Sequence, residues 1–232
     1  MKLIIYDHKF FRAIVSTFSS KKYLTFNITQ ESFQIFTSEI AKYFISFSDK
    51  SFYNFTGEIV FTLNPAHLHS QLNLFKDKND PLTIYLQDKS FIIQSNITEK
   101  SSIKIVIPFI SYFSYDLEDI VDVHTKFLLK DGKFLTTMQG IVNYSIENDK
   151  LKLKREADEV CEEMIIENVK FMEKTGILDF TSSNSWVEVF THLNLYFTDI
   201  LFSFAYNAMR IQFLLKGHES GYFEIQVPRI SI

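Results

Sequence analysis

Cysteine is nearly missing. One residue, Cys161, stands in 232, which excludes an internal disulfide and any metal site built from several thiolates, and suits a reducing compartment such as cytosol or nucleus. Glycine and proline are also scarce, at 6 and 4, too few for a chain dominated by loops or disorder. No Gly-rich phosphate loop, Gly-x-Ser-x-Gly elbow or His-Glu-x-x-His pair occurs, so the common sequence marks of nucleotide, acyl-transfer and zinc chemistry are absent and an enzyme is disfavoured. Residues 1–18 carry Asp7, His8, Lys9 and Arg12 among their apolar positions and lack a signal-peptide core. The longest apolar stretch, 193–209, is broken by Asp199, so no membrane contact is expected. A strong charge of either sign is missing too: the net value is −4, and any nucleic-acid contact would need a local basic surface.

Aromatic and aliphatic residues fill the space these leave. Hydrophobic residues make up 46% of the chain, with 25 Phe and 11 Tyr, a composition suited to packed strands and helices. The length holds one large or two small domains with sizeable cores.

Hydrophobic periodicity predicts a recurring unit of one strand, one helix and then several strands. Over 186–227, Val187, Val189 and Thr191 alternate as a strand; Leu193, Phe197, Ile200 and Phe204 recur at helical spacing. Strands with Ile211, Phe213 and Leu215, and with Phe223, Ile225 and Val227, follow. The same order runs over 58–96: Ile59, Phe61 and Leu63 as a strand, Leu68, Leu72 and Phe75 as a helix face after Pro65, then two more strands. The offset of roughly 125 to 130 residues suggests an internal duplication. At the start, a strand over 2–6 precedes a helix with Phe11, Ile14, Val15 and Phe18 inward, then three strands. After Pro108 the periodicity lapses to about residue 122, and beyond it a strand over 124–129, a short helix with Phe134, Leu135, Met138 and Ile141, strands over 142–147, 150–155 and 164–171, and a loop over 173–185 are expected. The count is four units in two halves: a domain at 1–107, a connector at 108–122 and a domain at 123–232.

This α+β layout of two tandem domains, each with two strand-helix-strands units, resembles the PCNA-type DNA sliding clamps over nearly the whole chain. The resemblance is closest at Met1-Lys2-Leu3 running into the helix at 11–18, at 58–91, and from Val187-Glu188-Val189-Phe190 to Pro228. Ile105-Val106-Ile107-Pro108 and Gln226-Val227-Pro228 look most like the Hus-type subunit of the heterotrimeric checkpoint clamp, the nine-one-one complex. The acidic stretch of replicative PCNA is absent where Thr37-Ser38-Glu39-Ile40 and Phe47-Ser48-Asp49 stand.

The resemblance implies a ring around duplex DNA, helices toward the hole, strands outside and clients beside the connector. The implied partners are two other clamp subunits, an ATP-driven clamp loader, duplex DNA contacted without sequence preference, and repair and signalling proteins. It implies a nuclear location, and neither chemistry nor a cofactor.

A sliding contact needs cations on the outward helix faces. Candidates are Lys9 and Arg12 on the first helix with Lys21 and Lys22 just beyond, Lys76 beside the second and Lys133 at the third. The expected fourth helix shows Leu195, Thr198, Asp199 and Phe202 outward, with no cation. In the connector Phe109, Ile110, Tyr112, Phe113, Tyr115 and Leu117 cluster within nine residues; they either dock a partner or fold back onto their own sheet.

No metal site is expected. His67 and His69 lie about 200° apart on a helix. The acidic run from Glu156 to Glu163 follows a basic run and suits solvated strand faces. A replicative homotrimeric processivity clamp is the competing reading, and an α+β ligand-binding protein or enzyme with a pocket at the fourth helix and connector is a third.

Overall fold

The computed structural model describes the chain except residues 39–40, 49, 76–80, 99–100, 111–119, 131, 158–159, 217–220 and 231–232. It divides into two compact units, one mainly Met1–Thr37 and Phe44–Tyr115, the other mainly Asp116–Lys216 and Tyr222–Ile232.

In the first unit the order is β1 (Lys2–Ile5), α1 (His8–Thr17), β2 (Leu24–Ile28), β3 (Phe33–Ser38), β4 (Lys42–Phe47), β5 (Tyr53–Phe55), β6 (Ile59–Leu63), α2 (Pro65–Leu72), β7 (Leu82–Gln87), β8 (Ser90–Thr98) and β9 (Ser101–Pro108). The strands form one sheet in the order β5-β1-β7-β8-β9, and β6, β2, β3 and β4 lie side by side in a second. Each half therefore lends its first strand to the other half's sheet: β1 pairs with β7, Leu3 opposite Ile84, and β6 with β2, Phe61 opposite Phe26. That exchange explains why neither half buries its apolar face alone.

The core between these layers is aromatic. Phe33 lies edge-on to Phe52 with centroids 5.5 Å apart, Phe47 stacks on Phe52 at 4.3 Å, and Phe26 on Phe61 at 5.0 Å. Edge-to-face and offset stacks of this kind add specificity to the area they bury. Into this layer α1 sets Phe10, Phe11, Ile14 and Val15, all buried.

The second unit repeats the design with β10 (Thr125–Leu129), a 3-10 turn (Lys133–Thr137), β11 (Ile141–Glu147), β12 (Lys150–Ala157), β13 (Val160–Ile166), β14 (Lys170–Lys174), β15 (Asp179–Ser183), α3 (Val187–Leu193), β16 (Phe197–Phe204), β17 (Ala208–Leu215) and β18 (Tyr222–Pro228). Here β14, β10, β16, β17 and β18 lie side by side, and β13-β12-β11-β15 form a four-stranded sheet. The first strands are exchanged again, β10 onto β16 with Phe127 opposite Phe202, and β15 onto β11 with Phe180 opposite Tyr144. Identical strand order and identical exchange in both units establish the duplication at the level of topology.

Several sequence expectations need correction. The register of the repeat is shorter than expected: Ile59 corresponds to Asp179 and Pro65 to Val187, about 120 residues on. The expected strand at 187–191 is the helix α3, and the expected helix through Leu193, Phe197, Ile200 and Phe204 is mostly the strand β16. The short helix expected at 134–141 is only a 3-10 turn ending at Thr137. The strand expected over 164–171 is two, β13 and β14, and the loop expected over 173–185 contains β15.

Candidate nucleic-acid interface

The cations expected in the first half gather on α1 and the turn after it. Asp7 caps the helix by accepting from Phe10 N at 3.0 Å, and the buried stripe described above leaves Lys9 exposed and Arg12 half-buried on the other side. Arg12 Nη1 is buried and has no hydrogen-bond partner among the described residues. The turn closes with Lys21 N donating to Phe18 O at 2.9 Å, which sets Lys22 exposed beside a half-buried Lys21.

The neighbouring helix α2, packed beside α1, differs. Asn64 caps it by accepting from His67 N at 3.0 Å, Pro65 opens it, and Pro65, Leu68 and Leu72 are buried. Its solvent side shows Ala66, His67, His69 and Ser70, without Lys or Arg. His69 Nε2 is 3.2 Å from Asn73 Nδ2. Lys76 lies outside the described residues.

In the second unit Lys133 opens the 3-10 turn; its side chain is not among those described. The helix α3 buries Val187, Val189 and Leu193 and exposes Glu188, an anion where a DNA-facing helix would carry cations. The residues assigned outward on the expected fourth helix separate accordingly. Leu195 is exposed in the turn after α3, Thr198 and Asp199 lie on β16, and Phe202 is fully buried against Phe127 and Trp186.

Of the connector candidates, Phe109 folds onto its own unit: its ring stacks on Phe61 with centroids 4.7 Å apart, and its N donates to Lys89 O at 2.8 Å. Ile110 N donates to Thr62 O at 2.9 Å, leaving the side chain 39% exposed. Tyr112, Phe113, Tyr115 and Leu117 lie outside the described residues.

Sequence patterning did not single out the sheet edges. β9 ends its sheet with Lys104 and Val106 exposed, and β13 ends its own with Val160, Glu163 and Ile165 exposed. Terminal position in a sheet follows from long-range pairing, which no local pattern encodes. Among the described residues no three His, Cys, Asp or Glu side chains gather as metal ligands, and no helix is long and apolar enough to cross a membrane.

A chain from the crystal structure of the PCNA2-PCNA3 complex of Sulfolobus tokodaii superimposes on this one with a TM-score of 0.80 over 99% of each chain. This is a PCNA-like clamp fold. Only 13% of positions are identical, so the clamp fold is held by alternation and strand order rather than by shared side chains. No protein-family model matches the sequence, and no curated protein matches it either. The exchanged first strands and the identical strand order of the two units thus belong to a clamp fold carried by an unrelated-looking sequence.

Proposed function

We propose that the chain is a noncatalytic subunit of a ring-shaped DNA clamp that closes with two different clamp subunits, and that the ring is a DNA-damage checkpoint clamp. In this reading an ATP-driven loader places the ring on duplex DNA in the nucleus, where it recruits repair and signalling proteins. The observation that carries the mixed assembly is the uneven charge of the helices. Lys9, Arg12, Lys21 and Lys22 cluster at α1, whereas the described outward side chains of α2 are neutral or histidine and α3 shows Glu188. Three identical copies would line much of the hole with surfaces that offer phosphates no fixed cation; partners with more basic helices remove that deficit. The likeness to a chain from a complex of two different clamp chains supports the same reading.

A homotrimeric processivity clamp is the second reading, favoured by the opposite charges exposed on the two edges, Lys104 on β9 and Glu163 on β13. Light scattering on the purified chain, alone and mixed with candidate clamp subunits of the same organism, separates the two. The expected result is a monomer that enters a one-to-one-to-one ring. A stable trimer of this chain alone would overturn the mixed assembly, and a monomer that joins no clamp subunit would overturn the clamp assignment.

A further inference from the structure

The chain enters the second unit through a segment that the sheet itself does not hold. His124 is the first residue in the ladder: its N donates to Phe204 O of β16 at 2.9 Å, and its O accepts from Thr175 N at 2.8 Å. Just before it the backbone turns through Asp122, whose φ is 57°, a left-handed conformation that Asp tolerates better than most residues and that serves as a bend. Among the described residues no backbone hydrogen bond reaches residues 120–123, and Val121 is 68% exposed.

One side chain does reach them. Arg210 Nη2 donates to Ile120 O at 3.3 Å. Arg210 stands on the outer side of β17, since its neighbours Met209 and Ile211 are fully buried on the inner side, and its ladder partner Ser203 on β16 is buried as well. The guanidinium is itself held by Glu224 of β18, whose Oε1 lies 3.7 Å from Arg210 Nε. That carboxylate is buried and fixed by two amides, Oε2 accepting from Gln212 Nε2 and Oε1 from Gln226 Nε2, each at 2.8 Å. A buried carboxylate held in this way is a rigid anchor for one cation. Gln212, Glu224 and Gln226 thus aim Arg210 at a carbonyl of the incoming chain.

We propose that Arg210 is a pin that holds the incoming chain against the outer face of the second unit, and that its release lets residues 120–123 swing about Asp122 while β10 stays in place. The direction in which the chain enters the unit is then set by one charge-assisted hydrogen bond and switches without unfolding the sheet. The device lies within the second unit and rests on no property of the ring. The test is the motion of a nitroxide spin label on the whole chain, in a Cys161→Ser background. Labels at Val121→Cys and, as a control on β17, at Leu214→Cys are compared by room-temperature electron paramagnetic resonance with Arg210 present and in Arg210→Gln. The expected result is a rotational correlation time at position 121 that falls about threefold or more, with no change at 214. Arg210→Lys keeps a charge beside Glu224 but loses the fork whose Nε faces Glu224 and whose Nη2 faces Ile120, so it should free the label at 121 while sparing the buried carboxylate. A label at 121 equally mobile with and without Arg210 would overturn the proposal. Equal loosening at 214 in both variants would overturn it too, because Arg210 would then support the whole unit rather than pin one segment.

Discussion

Asn184 illustrates how one polar side chain organises an apolar layer. It is fully buried; its Oδ1 accepts from Tyr144 Oη at 2.6 Å and Trp186 Nε1 at 3.2 Å, while Nδ2 donates to Met138 O at 3.0 Å. One amide thus satisfies a strand, a helix start and the end of the 3-10 turn. Asn184→Ala leaves three buried groups without partners, each costing about 1–3 kcal/mol, so a loss of roughly 3 kcal/mol or more is expected in urea unfolding, against about 1 kcal/mol for Tyr144→Phe. Comparable losses in the two variants would contradict a bridging role. Burial also raises the Tyr144 hydroxyl well above the ordinary tyrosine value of 10.0. Above pH 10 the unfolded chain releases this proton while the folded chain retains it, so the contribution is complete below that pH and decays as pH rises further. Tyr53, raised to about 12 by burial and then by the Glu31 charge, acts in the same direction. Urea midpoints measured from pH 8 upward should therefore fall in the parent chain and fall less steeply in Tyr144→Phe. Parallel slopes would show that Tyr144 does not carry the dependence.

Turns and strands show which parts of the fold were legible in sequence. The β7 to β8 hairpin turns through Asp88 and Lys89, both at positive φ, 51° and 54°, the signature of a type I′ turn that favours Gly at its second position. Lys89→Gly keeps the backbone bond from Phe109 N and relieves the side-chain penalty, so stability should rise by about 0.5–1 kcal/mol; a fall would mean the Lys89 side chain holds the turn. Asn148 and Asp149 adopt the same geometry between β11 and β12, and there the turn residues announced the hairpin in advance. The stretch 187–204 misled because two local patterns imitate the wrong element. Trp186, Val189 and Leu193 are buried at helical spacing in and around α3, but Val187 and Glu188 give the same letters a strand-like alternation. In β16 the register shifts between Phe197 and Ile200, and such a bulge turns a two-residue period into a spacing of three that reads as a helix. The cation cluster at α1 was legible because its helix has one clean apolar face. The sheet edges at β9 and β13 were not, since a strand's place at the end of a sheet follows from long-range pairing.

For the whole molecule, two of the sheet edges, β9 and β13, turn the assembly question into a mutational one. β9 and β13 each present unpaired backbone at the end of a sheet, the geometry that invites strand addition. Exposed Val106 on β9 and Val160 on β13, at 53% and 58%, allow Asp to be introduced without disturbing either core. If β9 of one chain pairs with β13 of the next, a ring of three identical chains has that joint at every junction, so Val106→Asp weakens all three and the protein falls to monomers. In a ring with two different partners the same change touches a single junction, and two junctions survive as an open three-chain assembly. Val160→Asp should then open the ring at the junction on the opposite side of the chain, so the two variants place this chain at opposite ends of an open three-chain assembly. Native mass spectrometry with ion mobility on the co-expressed subunits separates monomers, open three-chain assemblies and closed rings. Collapse to monomers in both variants would favour the homotrimer, whereas rings that persist in both would show that neither edge joins the subunits.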